Sequence, residues 1–334
     1  MLRIGYKASA EQFGPTELLK FATLAEEQGF DSVFVSDHFQ PWRHSGGHAP
    51  MSLAWLGALG ARTSRIVIGT SVLCPSFRYH PSVIAQAFAT LGVLFPGRVT
   101  LGVGAGESIN EVPATGAPWP EPRERTARLK EAVDLIRTLW TEERVSFSGE
   151  YYRTKRATVY DRPVKPVPIY IAAAGPIISK FAGEVADGFI CTSGKALELY
   201  RDTLLPNVVA GLATAGRGAE GIDRMIEIKV SFDVDIHRAQ LDTRHWAALA
   251  LTSDVKMSVE DPLEMERLAD GLTTEQAAGR WIVSSDADEH VERIRRYVEL
   301  GFRHLVFHSP GPDQERFIRM YAAAVLPRLR AIPA

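Results

Sequence analysis

Short apolar runs recur along this chain, and they do not alternate with polar residues. LRIGYKAS (2–9), DSVFVSDHF (31–39), RIVIGTSVL (65–73) and RVTLGVGAGE (98–107) have this character. So do VPIYIAAAG (167–175), GFICTSG (188–194), MIEIKVSFDVD (225–235) and HLVFHSPG (304–311). Strands that are apolar throughout are buried on both faces, as in a parallel sheet covered by helices. Amphipathic stretches lie between most of them. PTELLKFATLAEEQGF (15–30) spaces Leu18, Leu19, Ala22, Ala25 and Glu26 as a helix does, with Gly29 as its C-cap. Residues 52–64, 81–95, 123–141, 176–187, 196–213 and 314–329 read the same way. Eight such strands separated by helices predict an α/β fold, a single (β/α)8 TIM barrel over 1–334. A doubly wound open sheet is the competing topology. Two stretches are too long for simple connections. Residues 142–166, rich in tyrosine and β-formers, predict a hairpin-like insertion after strand four; 236–300 predict a helical insertion after strand seven. Long insertions in barrels usually serve the active-site rim.

The bulk chemistry narrows the function classes. A net charge of -2 gives no electrostatic reason for a nucleic acid or acidic membrane partner. No apolar run reaches the ~18 residues of a spanning helix, and MLRIGYKASAEQF lacks the apolar core of a signal peptide. The two cysteines, Cys74 and Cys191, form no C-x-x-C pair, so a cytoplasmic setting without disulfides is expected.

In a TIM barrel the active site lies at the C-terminal strand ends. Those ends carry Ser36-Asp37-His38, Ser71-Val72 with Cys74 after it, and Gly104-Ala105-Gly106-Glu107 with Asn110 nearby. They also carry Ala174-Gly175-Pro176 and Thr192-Ser193-Gly194-Lys195. GVGAGE (102–107) has G-x-G-x-G spacing after the fourth strand, a weak match to a dinucleotide fingerprint. Its glycines suit either close approach to a flat ring or tight strand-to-helix packing. Pro176 opens a helix, so the N–H groups of Ile177 and Ile178 face outward; that is a phosphate seat or simply a well-made helix start. Lys195 follows a strand end. Lys256 and Arg280 taken alone read as solvated surface cations.

SDHFQPWRHSGGH (36–48) holds His38, His44 and His48. Their spacing is not a standard ligand pattern, Pro41 and two glycines prevent a shared helical face, and no cysteine is near, so no metal is expected. A base at a strand end is more economical. Histidine as a residue type can exchange a proton near neutral pH, which suits position 38 to that role; Asp37 could orient it or bind a ligand, and Trp42 could cover a ring.

SDHFQPWRHSGGHAP, RIVIGTSVL, VIAQAFATL, GFICTSGK and HLVFHSPG closely resemble the glucose-6-phosphate dehydrogenases that use the deazaflavin coenzyme F420. These belong to the luciferase-like barrels, and the likeness runs through nearly the whole chain. The resemblance implies hydride transfer from C1 of a sugar 6-phosphate to C5 of the deazaflavin. It implies His38 as the base and Glu107 as a proton donor, with Trp42 and Glu11 lining the reacting centre. Asp37, Ser71, Val72, Cys74, Ala105, Gly106, Asn110, Ala174, Gly175, Ile177 and Ile178 match cofactor-holding positions. Thr192, Lys195, Lys256 and Arg280 match the sugar-phosphate pocket, where three cations around one dianion would hold the substrate. Cys74 and Ala105 stand where the family carries threonine, and Ala174 where it carries glycine, which bears on cofactor affinity. The resemblance further implies a homodimer, for which the apolar helix 81–95 offers a surface. The alternatives are a dehydrogenase for another sugar 6-phosphate, an FMN-dependent monooxygenase on the same barrel, and a non-catalytic ligand-binding protein.

Overall fold

The computed structural model describes residues 2–333. Seven strands come first: β1 (Arg3–Ala8), β2 (Ser32–Val35), β3 (Val67–Thr70), β4 (Val99–Val103), β5 (Ile169–Ala172), β6 (Gly188–Thr192) and β7 (Asp223–Phe232). Two follow, β8 (Ile282–Ser284) and β9 (His304–His308). Every strand-to-strand pairing is parallel. β1 to β7 pair in sequence, β7 pairs with β9, and β9 returns to β1, which closes an eight-stranded barrel.

The helices alternate with the strands. α1 (Pro15–Glu27), α2 (Ser52–Arg62) and α3 (Pro81–Leu94) follow the first three. α4 (Ser108–Thr115) and α5 (Pro122–Thr141) follow β4, α6 (Pro176–Val185) follows β5, and α7 (Leu205–Thr214) follows β6. After β7 come α8 (Ile236–Asp242), a 3-10 segment Thr243–Ala250, α9 (Ser253–Ser258), α10 (Pro262–Asp270) and α11 (Thr274–Ala278). α12 (Ala287–Glu299), α13 (Gln314–Ala324) and α14 (Leu326–Arg330) complete the chain. Gly29 closes α1 as its sequence position implies: its φ is 84°, and the Phe30 N–H reaches back to the Ala25 carbonyl at 3.0 Å.

The main core lies between strands and helices. A smaller apolar layer fills the barrel itself, built from Phe34, Tyr170, Ile190, Met225 and Val306. No described helix is long and apolar enough to cross a membrane.

Four expectations need correction. The strands stop earlier than their apolar runs, so Ser36 to Phe39 and Gly104 to Glu107 leave the sheet and turn over the barrel mouth. The 236–300 stretch is not purely helical. β7 outlasts β9, and the open edge of Val230–Phe232 is taken by Ile282–Ser284, giving a ninth strand. The last predicted helix (314–329) divides into α13 and α14 at Val325. Residues 142–166 make two antiparallel bridges, Val145 with Ala157 and Ser148 with Arg153, but they lie along the outside of α5. There Glu131 accepts the N–H groups of Glu150, Tyr151 and Tyr152, and the Tyr152 hydroxyl donates to the Ser76 carbonyl at 2.8 Å.

Candidate active site

A cavity of about 780 Å³ opens at the C-terminal pole of the barrel, within the usual range for a small-molecule site. His38, Glu11, Glu107 and Trp42 line one part of it; Thr192, Lys195, Lys256 and Arg280 line another. The 236–300 stretch supplies Trp246, Lys256 and Arg280, whereas residues 142–166 supply none of the described lining.

His38 follows β2, where the chain leaves the sheet. Its Nε2 lies 3.2 Å from a Glu11 carboxylate oxygen and 3.7 Å from one of Glu107. Its Nδ1 lies 3.1 Å from the Gln40 carbonyl, which can only accept. Nδ1 also meets the Asn110 amide nitrogen at 3.2 Å, and Nε2 is the nitrogen turned toward the two carboxylates. Asn110 holds this arrangement. Its amide oxygen accepts the N–H groups of Phe39 and Gln40, at 3.0 and 3.2 Å, and its nitrogen donates to Glu107 at 3.3 Å. Asn110, expected to contact the cofactor, lines the cavity and at the same time orients the His38 loop and Glu107. The Trp42 ring lies 6.0 Å from His38, centre to centre. His44 and His48 stay out of the cavity lining, and no metal-ligating cluster occurs among the described residues.

The two carboxylates are driven apart. Burial alone raises Glu11, but His38, Lys7 and the Ser36 hydroxyl at 2.7 Å outweigh it, so its carboxyl sits below the ordinary range. Burial raises Glu107, the nearby Glu11 adds to this, and His38 and Lys256 do not fully compensate. The Glu107 side chain nonetheless opens into the cavity, with 47% of it accessible. One carboxyl is kept ionised and one is inclined to hold its proton, the usual division between an orienting base partner and an acid.

Asp37, expected to contact the cofactor, lines the cavity and is also held from behind. Its side chain is fully buried, and its two oxygens are taken by the Ser52 hydroxyl at 2.6 Å and by Arg78 at 2.7 Å. Arg78 also pairs with Glu111 at 3.2 Å. Asp37 thus belongs to a buried ionic network that fixes the loop carrying His38.

The opposite wall is apolar and close-fitting. Ser71, Val72, Cys74, Ala105, Gly106, Ala174 and Ile178 all line it. A β-carbon at Gly104 would come 2.8 Å from Val72, and one at Gly106, whose φ is 82°, would come 2.7 Å from the Cys74 sulfur. Neither position tolerates a side chain. Trp119, beside this wall, has a buried ring N–H with no partner. A wall of small and apolar residues, kept close by Gly104 and Gly106 and with one spare donor beside it, fits a planar heteroaromatic cofactor. Gly175 caps α6 with no side-chain cap bond, which leaves its first N–H groups for an anionic part of such a molecule. The Ile177 side chain is exposed and lines a separate surface groove, which leaves its backbone N–H, the group singled out from the sequence, as the part a ligand could use.

The three cations from separate segments converge. Gly194 makes this possible: with φ at 79°, it packs so close that a β-carbon would fall 2.5 Å from the Arg280 carbonyl oxygen. Lys195 is lowered by burial and by Arg280, and Lys256 by burial and by Arg280 and Lys195. The Arg280 Nε is buried without a partner. Clustered cations with spare donors form a ready anion seat.

A family profile for luciferase-like monooxygenases matches residues 2–304. The chain belongs to this family. Among luciferase-like barrels it is similar to a Nakamurella multipartita protein named F420-dependent glucose-6-phosphate dehydrogenase. The two are 66% identical over 331 residues, 99% of this chain and 97% of that one. A Mycolicibacterium smegmatis protein of the same name is 59% identical over 99% of each chain. The solved structure of an F420-dependent secondary alcohol dehydrogenase superposes with a TM-score of 0.93 at 35% identity, covering 98% of this chain and 99% of that one. A coenzyme F420-dependent tetrahydromethanopterin reductase from Methanopyrus kandleri, at 23% identity and a TM-score of 0.82, shares the fold.

Sequence reasoning missed Lys7, Glu227, Lys229 and His308, which are buried and line the cavity, and the half-buried Arg78, which pairs with Asp37 and Glu111. The signal was present for Lys7, Glu227 and Lys229: charged residues inside otherwise apolar strands are rarely buried without a reason.

Proposed function

We infer that this luciferase-like barrel is an oxidoreductase that moves a hydride from C1 of glucose 6-phosphate to C5 of coenzyme F420, yielding 6-phosphogluconolactone. The observation that carries the reading is the anion seat of Lys195, Lys256 and Arg280 in one cavity with His38, Glu11 and Glu107. The high identity to proteins of that name supports it. When bound, the deazaflavin supplies the acceptor for two electrons and one hydrogen; the chain supplies the rest. The cationic seat fixes the phosphate and so the reach of C1. His38 Nε2 accepts the C1 hydroxyl proton, and Glu11 keeps the imidazole aimed and stabilises its charged form. Glu107 holds the proton that balances the reduced cofactor. The apolar wall excludes water from the transfer. The two cysteines are free, in keeping with the expected cytoplasmic setting. A homodimer would use α3, whose Val83, Val93 and Leu94 remain exposed.

The test mixes purified protein, oxidised F420 and glucose 6-phosphate, with mannose and fructose 6-phosphates and with FMN and NADP as parallel arms. Loss of the cofactor's visible absorbance with glucose 6-phosphate is expected; no loss removes the reading. Arg280→Met will raise KM for the sugar phosphate roughly 10- to 50-fold, the scale of a lost charge-assisted contact, and leave F420 affinity near wild type. An equal loss of F420 affinity would remove Arg280 from the phosphate seat.

The raised Glu107 carboxyl also sets a pH dependence. Its proton is retained above the ordinary carboxylate range and is lost as pH rises through the shifted value. Turnover that needs this proton therefore declines on the alkaline side. In Glu107→Gln, kcat will fall and that alkaline limb will disappear; a limb of unchanged position would assign it to another group.

A further inference from the structure

The top of the barrel interior carries a charged layer of which only Lys7 has a part at the reacting end, through its effect on Glu11 and Glu107. Lys7 stands on β1, Glu227 and Lys229 on β7, and His308 on β9, and all four line the cavity. Glu227 and Lys229 are two residues apart and share a face of the strand. Their register places Glu227 beside Thr192 and Lys229 beside His308. A TIM barrel interior is normally filled by branched apolar residues, and the layer containing Ile190, Met225 and Val306 is of that kind. The ionic layer thus has no packing rationale of its own.

Its hydrogen bonding is incomplete. Glu227, Lys229 and His308 are 7%, 4% and 2% exposed. Lys7, which donates to the Ser71 carbonyl, also pairs with Glu227 at 3.2 Å. Lys229 is 3.9 Å and His308 is 3.7 Å from Glu227, beyond hydrogen-bond length. Neither ring nitrogen of His308 has a partner, and the rings of Trp246 and Trp281 hold it edge-on at 4.5 and 5.1 Å. Buried polar groups are almost always satisfied. A set left unsatisfied and aimed into a cavity points to a ligand that completes it.

The layer also lies between the two ends already described. Lys7 acts electrostatically on Glu11 and Glu107, and Lys229 on Lys195 and Arg280. Glu227 is in register with Thr192 beside the cationic seat, and Lys7 bonds the Ser71 carbonyl of the cofactor wall, so a sugar held between that seat and His38 would have its ring within reach of this layer. We propose that Glu227, Lys229 and His308 form the sugar-hydroxyl subsite and determine which hexose 6-phosphate is turned over. This rests on the sugar-phosphate reading above. The Glu227 carboxylate accepts from ring hydroxyls, held in place by Lys7. The Lys229 ammonium donates, and His308 supplies whichever role its proton allows. A polyol is recognised by such an interleaving of acceptors and donors.

The experiment measures kcat/KM, from F420 absorbance, for glucose 6-phosphate and its 2-, 3- and 4-deoxy analogues, on wild type, Glu227→Gln and Lys229→Met. A site built to bind a hydroxyl rejects the analogue lacking it, so at least one analogue will lose about tenfold or more on wild type. On the variant that lacks the partner group, the same analogue will lose less than about threefold, because the contact is already gone. Deoxy penalties that are the same in wild type and both variants overturn the proposal. Thermal melting and F420 fluorescence quenching establish that each variant folds and binds cofactor. Should either variant fail to fold, His308→Asn takes its place in the same cycle. If wild type itself does not reduce F420 with glucose 6-phosphate, the function falls. If wild type turns over and the cycle is additive, the subsite alone falls.

Discussion

Arg78→Met will lower the stability of the fold by about 3–5 kcal/mol, the usual cost of removing one partner from a buried ion pair. The guanidinium sits between Asp37 and Glu111, whose side chains are 0% and 2% exposed, and it also donates to the Asp37 backbone carbonyl at 2.9 Å. Methionine preserves much of the volume but leaves two carboxylates in a dry site. The pH dependence gives an independent check. Burial already raises Glu111 above its ordinary range, with Arg78 opposing the shift. A raised carboxyl binds its proton more tightly folded than unfolded, so its favourable contribution is present at low pH and is lost as pH rises through the shifted value. Removing Arg78 enlarges that shift. The deficit of the variant will therefore be smallest near pH 5 and grow toward pH 8, read by denaturant melts at each pH. A deficit independent of pH, or under about 1 kcal/mol, would mean that solvent or a neighbour replaces the cation.

His38→Ala will reduce kcat by at least about 100-fold, the scale of a lost general base. F420 affinity will remain near wild type, because the cavity wall that would hold the ring is built from Val72, Gly104 and Ala105 on other segments. Single-turnover absorbance separates the chemical step from binding. Unchanged turnover would remove His38 from the reaction, and lost F420 binding would make it a cofactor contact instead. Asn110 supports the imidazole through the Gln40 backbone, so Asn110→Ala is expected to act on kcat in the same direction, only more weakly.

The barrel was legible because each strand run is apolar throughout and each helix keeps its own period. The strand-end residues His38, Glu107 and Lys195 were legible for the same reason: once strands are placed, their ends mark the mouth. What stayed hidden depends on contacts distant in sequence. β8 is three residues long, too short for any pattern, and forms only because β7 runs past β9. Arg78 reads as one loop cation among many until Asp37 and Glu111 are seen on either side of it. Arg280 is similar, since its partner Lys195 lies far along the chain and meets it through Gly194. The internal hydrogen bonds of Asp37 and Asn110 stayed hidden for a different reason. Matching positions reveal which residues surround a ligand, yet hydrogen bonds already made within the protein decide what each can still offer.

The backbone contact at Gly194 has a consequence for how such enzymes diversify. It ties Lys195 and Arg280, two of the three cations proposed to seat the phosphate, to a common scaffold, so their separation would behave as a fixed gauge rather than an adjustable grip. Any larger residue at 194 would force the Arg280 segment away and cost recognition of the whole phosphate class at once. Changes of substrate among hexose phosphates must then come from elsewhere in the cavity. On the proposed reading, anchor and selector would then be separable parts, with only the selector free to vary without loss of the activity.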